Sequence, residues 1–551
     1  MKLASHAAIG GALVALLALP GSSFAQRDAA GPQVDAPAGK LQGLNEEGLN
    51  VFKGIAYAQP PVGQLRWHAP VPLPRWSGVK SATEFGASCV QPIAPTPNLY
   101  TDDVKPMSED CLSLNIWAPK NAKNAPVFFW IYGGALVGGS SREALYDGAK
   151  LAARGVVVVS INYRLGVLGW LAHPQLSAES PLGVSGNYGL LDQIQALHWV
   201  KDNIGAFGGD ASNVTIAGES AGALSVMYLL ASPPARGLFA KAIAESAYLI
   251  TTPPLKDKKY GYDAAEQSGA ALGAKLGAPT IAQLRAMDPM KLTDAAAGAG
   301  FAPFGAVDGK ILPDQLVTIF DRGEQAPVPL LAGFNSGEIR SLRVLAPQPP
   351  ASAAIYETTI KSQYLDMADD FLKLYPSSNM NESILATTRD SLYGWTAERL
   401  AKKQTALGQQ SYLYFFDHGY PAEDAAGLHG FHASELPYVF GYFDRTAPLW
   451  PKIPATARET ALSDAMIGYW TSFAKTGKPV AANAPDWPLF GTAGGYMAFT
   501  DAPHPAENLM PAMYALNEQV MCRRRASGDQ QWGFYVGLWS PKLPHQVPGC
   551  A

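Results

Sequence analysis

The sequence predicts an α/β fold with a large, mostly parallel central sheet, flanking helices and helical insertions that cap the sheet. Three observations carry that prediction. Residues 126–132 and 155–163 are continuous apolar runs rich in valine and isoleucine, the pattern of strands buried on both faces. Residues 186–207 place Leu190, Leu191, Ile194, Leu197 and Val200 at helical spacing. That stretch leads into a short apolar strand, Val214-Thr215-Ile216-Ala217, then into Gly218-Glu219-Ser220-Ala221-Gly222, and then into a second helical run.

With 551 residues, 48% of them hydrophobic and 16% charged, the chain has ample material for a core. No Ser/Gly linker, charge block or fixed-period repeat divides it, so a single domain is placed at residues 34–551. A net charge of −4 gives no electrostatic reason to expect nucleic acid or an anionic membrane as partner. The first residues read Met1-Lys2, an apolar run over 9–19, and Ser23-Phe24-Ala25 before Gln26. This is the layout of a signal peptide, residues 1–25, and it predicts export to the periplasm or the medium. The apolar run is too short for a membrane span, which needs roughly 20 residues.

The strand–turn–helix around Ser220 is the chemically informative stretch. A serine hydroxyl becomes a useful nucleophile when a sharp strand-to-helix turn holds it clear of the sheet. Glycines at 218 and 222 leave room for that turn. The N–H of Ala221, at the helix start, points where an oxyanion would form.

Two stretches carry a family resemblance. Phe207-Gly208-Gly209-Asp210-Ala211-Ser212-Asn213-Val214-Thr215-Ile216-Ala217-Gly218-Glu219-Ser220-Ala221-Gly222 resembles the serine signature of the type-B carboxylesterases, the cholinesterase-like α/β-hydrolases. Glu109-Asp110-Cys111-Leu112-Ser113-Leu114-Asn115-Ile116-Trp117-Ala118-Pro119 resembles the family's second signature, with Ser113 where an aromatic residue or threonine is more usual. The resemblance runs from about Gly39 to about Trp539. It implies the α/β-hydrolase fold, with a nucleophile, then an acid, then a base along the chain.

The remaining candidates follow from that order. Tyr132-Gly133-Gly134-Ala135 is a glycine-rich turn after a buried strand, without the Lys-Ser/Thr of a phosphate cradle. The resemblance implies that Gly134 and Ala135 lend N–H groups to an oxyanion hole beside Ala221. Glu338 follows the apolar strand Leu330-Leu331-Ala332-Gly333-Phe334 and falls on the family's triad acid, although Ile339 replaces a common glycine. Gly430-Phe431-His432-Ala433-Ser434-Glu435 matches the segment of the triad histidine, which leaves His429 as a neighbour. Glu219 and Ser246 are read as supporting residues, Ser246 because the matching family serine bonds the acid. Arg66 is expected to pair with Glu109. Arg340 and Arg343, close after Glu338, read as an ordinary helix face paired with nearby acids, the alternative being a site for a substrate carboxylate.

Four cysteines in an exported chain suggest two disulfides, for which three pairings exist. The sequence-local choice is Cys89 with Cys111 and Cys522 with Cys550, and the first pair matches the family's disulfide-closed loop at the mouth of the site. The resemblance implies hydrolysis of small soluble esters through an acyl-enzyme, with no cofactor and no metal. A lipase acting on longer acyl esters would want an apolar lid, and residues 90–110 are instead rich in proline and acidic groups. A catalytically silent adhesion homologue is disfavoured by the presence of all three triad residues. Residues 255–301 and 355–407 are alanine- and charge-rich with helical periodicity, so the pocket walls are expected there.

Overall fold

Eleven strands hydrogen-bond into one sheet in the computed structural model, which describes residues 31–93 and 96–550. The expected signal peptide lies outside the described residues. In chain order the strands are β1 (Leu44–Glu46), β2 (Leu49–Ala56), β3 (Ser113–Pro119), β4 (Ala125–Ile131), β5 (Val157–Ile161) and β6 (Gly209–Glu219). They continue with β7 (Lys241–Glu245), β8 (Leu330–Asn335), β9 (Ser411–Phe416), β10 (Gly495–Phe499) and β11 (Pro503–Glu507). Across the sheet the order is β1-β2-β3-β5-β4-β6-β7-β8-β9-β10-β11. Every pairing from β5 to β10 is parallel, and the pairings outside that block are antiparallel.

The two valine- and isoleucine-rich runs are β4 and β5, adjacent, parallel and almost wholly buried. Helices cover both faces of such a block, which is why its strands read as continuous rather than alternating hydrophobicity. The expected helix over 186–207 is α1 (Tyr188–Asn203), which then tightens into a 3₁₀ turn over Ile204–Phe207. Gly205 and Gly208 explain the change: glycine weakens a helix, and Gly208 takes a left-handed φ of 82° where a Cβ would lie 2.4 Å from the Ala122 carbonyl oxygen. The helix after Ser220, α2 (Ala221–Ala231), packs on β6 and β7 and is buried all round, as its uniformly apolar sequence requires.

Both insertions are helical. The first contains Ala265–Lys275, Ile281–Ala286 and Pro289–Gly298, the last two capped by Thr280 and Asp288. Leu272, Ile281, Leu284 and Leu292 form a satellite core there with Val167, Leu168 and Leu171. Arg66 binds Glu109 through two bonds of 2.7 and 2.6 Å, as expected. Its remaining nitrogen donates to the Met287 carbonyl at 2.9 Å, so the pair also anchors this insertion. The short helix α3 (Glu338–Ser341) follows β8. The second insertion includes α4 (Met380–Arg389) and α5 (Trp395–Ala406), joined by a π-helical turn over Asp390–Gly394. Disulfides join Cys89 to Cys111 and Cys522 to Cys550.

Candidate active site

At the end of β6 the backbone turns at Ser220, with φ 54° and ψ −120°, and enters α2. A serine at positive φ is strained and persists only where its surroundings over-determine it. Here the Ser220 N–H donates to the Glu245 carbonyl at 2.9 Å, and its own carbonyl accepts from the Leu224 N–H at 2.9 Å. The flanking glycines let the turn press against β4. A Cβ on Gly222 would lie 2.0 Å from the Ile131 carbonyl oxygen, and one on Gly218 would meet Gly222 at 2.6 Å.

The glycine-rich run after β4 lies directly beside this turn. A Cβ on Gly133 would come within 3.1 Å of the Ser220 Cβ and 2.8 Å of the Glu219 carboxylate. Gly134, Ala135 and Leu136 have successive φ values of 95°, 56° and 61°. The loop is held by the N–H groups of Val137 and Gly138, both donating to the Gly134 carbonyl at 3.0 Å. Among the described residues the amides of Gly134, Ala135 and Ala221 have no hydrogen-bond partner.

Glu338 opens α3 and is fully buried. Its carboxylate accepts from the Ser246 hydroxyl at 2.7 Å and from the Asn335 N–H at 2.9 Å, and it meets His432 Nδ1 at 2.5 Å. The segments carrying the two residues are stitched together. Gly337 N–H donates to the Gly430 carbonyl at 2.8 Å, and the Asn335 amide donates to the Phe431 carbonyl at 2.9 Å. Asn335 also reaches the buried carboxyl of Glu435 at 2.5 Å.

The imidazole of His432 is thus fixed at Nδ1, while Nε2 stands 3.1 Å from Glu219 Oε1. Sequence reasoning cast Glu219 as a supporting residue; the structure puts it in direct contact with the ring. Burial disfavours the imidazolium, but the carboxylates of Glu219 and Glu338 outweigh it and raise the His432 pKa. Burial raises the pKa of Glu219 in turn. Ser246 bonds Glu338, as its match to the family serine implied.

The other histidine candidate sits elsewhere. His429 lies half-exposed between Asp424 at 2.7 Å and Asp417 at 3.3 Å. Arg340 pairs with Glu382 of α4 at 2.8 Å, the ordinary ion pair expected of it. Three contributors left no mark in the sequence. Asn335 and Glu435 look like any polar residues near a strand end. Tyr393, presented by the π turn, packs its ring 5.3 Å from that of His432. A π turn has no composition signal that a single sequence offers.

A mostly parallel sheet, a strained serine turn between a central strand and a buried helix, and an acid and a histidine on segments further along the chain make this an α/β-hydrolase. Residues 30–516 match the Carboxylesterase family, and the chain belongs to that family. It is a carboxylic ester hydrolase. The para-nitrobenzyl esterase of Bacillus subtilis (strain 168) is 38% identical over 463 residues, covering 82% of this chain and 91% of that protein. The fumonisin B1 esterase of Sphingopyxis macrogoltabida is 36% identical over 478 residues, covering 84% and 85%. A solved PNB esterase superposes with a TM-score of 0.76 at 34% identity, covering 88% of this chain and 99% of the other.

Proposed function

We propose that the chain hydrolyses small carboxylic esters through an acyl-enzyme formed on Ser220, with His432 as base and Glu338 as the acid that orients it. The observation that carries this reading is the bond between Glu338 and His432 Nδ1, which turns Nε2 toward the serine turn, where it stands 3.1 Å from the carboxylate of Glu219, the residue before Ser220. Ser220 attacks the ester carbonyl while Nε2 takes its proton. The oxyanion is received by the unpartnered N–H groups of Gly134, Ala135 and Ala221. His432 returns the proton to the leaving alkoxide, and water repeats the sequence on the acyl-enzyme. Glu338, supplied with donors by Ser246 and Asn335, keeps the proton of the neutral ring on Nδ1 and stabilises the imidazolium. The chemistry calls for no cofactor or metal.

Two disulfides support an oxidising compartment and hence export. The test of the catalytic assignment is a series of nitrophenyl esters of graded acyl length, run on wild type and Ser220→Ala, with an organophosphate label mapped by mass spectrometry. Turnover confined to the wild type and a single label on Ser220 are expected. Label on another residue, or substantial turnover by Ser220→Ala, refutes the assignment.

A further inference from the structure

The loop closed by the Cys89–Cys111 disulfide is tied to the candidate active site at two places. Near its start Gln91 grips Gly139 of the glycine-rich loop: its amide nitrogen donates to the Gly139 carbonyl at 3.0 Å, and its oxygen accepts from the Gly139 N–H at 2.9 Å. Further along, Tyr100 reaches the backbone of His432 and the end of the helix that Glu338 opens. Its hydroxyl oxygen lies 2.9 Å from the His432 carbonyl oxygen and 2.7 Å from the Ser341 hydroxyl. A phenol has one proton and a carbonyl can only accept, so Tyr100 donates to His432 and accepts from Ser341. Its ring stands edge-on to the imidazole, with centroids 6.3 Å apart, and against Trp450 at 6.1 Å.

We propose that Tyr100 is a positioning residue for His432: it holds the peptide that follows the histidine, so that the ring keeps its place between Glu338 and the serine turn. That peptide needs holding. Ala433 has a φ of 68°, a conformation that costs a residue with a Cβ and relaxes unless its surroundings enforce it. Among the described residues, Tyr100 is the one donor to the His432 carbonyl. Ser341 ends α3, the helix that begins with Glu338, so one phenol fixes the acid's helix, the base's backbone and the mouth loop relative to each other. Gln91 keeps the loop itself in place against the oxyanion side. The proposal rests on His432 being the base.

Tyr100→Phe keeps the ring and removes the proton. With nitrophenyl acetate, kcat is expected to fall about tenfold while KM stays within about twofold, because an aligning contact acts on the chemical step rather than on binding. Ala433→Gly removes the backbone cost, so adding it to Tyr100→Phe should restore most of the lost rate. An unchanged kcat overturns the proposal, as does a raised KM with kcat intact, or a loss that Ala433→Gly leaves in full. Should Tyr100→Phe fail to fold, Ser341→Ala removes only the hydroxyl that orients the phenol and is judged by the same criteria, with a loss of about threefold. Ser220→Ala, run in parallel, separates the two readings: activity surviving there sinks the catalytic assignment, whereas activity lost there but full in Tyr100→Phe sinks the positioning role alone.

Discussion

Glu219→Gln should move the acid limb of the pH–rate profile to lower pH. The carboxylate oxygen of Glu219 stands 3.1 Å from His432 Nε2, and both groups are buried. At that distance a full charge pair is worth ~5 kcal/mol with an effective dielectric constant of ~20, an upper bound equivalent to ~4 pKa units. Two facts reduce it. Burial raises the pKa of Glu219 itself, so the carboxyl is only partly ionised near neutral pH. Glu338 still holds Nδ1 and continues to favour the imidazolium. A drop of about 1–3 units in the His432 pKa is the realistic expectation.

The sign follows from which form is active. On the proposed mechanism only neutral His432 accepts the Ser220 proton, so a raised pKa keeps the wild type inactive up to a higher pH. Removing the Glu219 charge lowers that pKa, and the variant should retain activity at more acidic pH. It should also lose about tenfold from its alkaline plateau, because the imidazolium formed in the transition state loses a counter-charge and the base is weaker. The assay is kcat/KM for nitrophenyl acetate from pH 4 to 9 on both proteins. An acid limb that stays in place, or moves to higher pH, refutes the claim that Glu219 tunes His432.

Ser246→Ala removes one of the donors to Glu338, a hydrogen bond to a charged group worth roughly 1.5–3 kcal/mol. If that loss falls on the transition state, kcat drops about 10- to 100-fold with little change in KM, which steady-state kinetics will read. Gly134→Ala should cost about a hundredfold in kcat, since its Cβ would lie 2.2 Å from the Gly138 carbonyl oxygen at a φ of 95°, dismantling the proposed donor loop. Ala135→Gly is its control and should keep its rate, because glycine adopts the φ of 56° freely and retains the N–H. Proline at 135 is a poor probe of that donor, because its ring demands a negative φ. Slow release of tert-butanol from tert-butyl acetate is expected as well, since Gly133-Gly134-Ala135 resembles the oxyanion type linked to tertiary alcohols and Ala135 adds only a methyl group. Its absence in enzyme active on primary acetates counts against that reading.

What was legible in the sequence was whatever is local. The strand–glycine–serine–helix pattern requires no distant partner to be recognised, so the turn at Ser220 and the helix after it followed from composition and spacing. Arg66 with Glu109, and both cysteine pairings, came from family pattern and near neighbours. Contacts that close over hundreds of residues left no periodicity to read. Nothing in the proline-rich stretch 90–110 marks Tyr100, yet its hydroxyl sits on the His432 carbonyl. Glu219 was visible as a neighbour of the nucleophile, but its contact with the imidazole depends on how β6 meets the loop carrying His432. Tyr393 depends on a single extra residue in a helical turn.

Long-range structure also decides which carboxyl in this buried cluster carries charge. Glu219, Glu245, Glu338 and Glu435 are all buried, and four carboxylates that close together cannot all be ionised. The fold discriminates among them by allotting donors. Glu338 receives the Ser246 hydroxyl, the Asn335 N–H and His432 Nδ1, the coordination a buried anion needs. Glu245 receives only the Trp470 indole N–H, at 2.9 Å, and Glu435 only the Asn335 amide. Each of those two has a second oxygen without a partner among the described residues, an arrangement suited to a protonated carboxyl. Burial and the neighbouring carboxylates accordingly raise the pKa of both. By that criterion the donors converge on Glu338 at Nδ1, whereas Glu219, which has an unpartnered oxygen too, bears charge at Nε2 only to the extent that pH and the imidazolium allow. A neutral Glu245 and Glu435 cost the site little, because their protons keep two further charges from competing for His432.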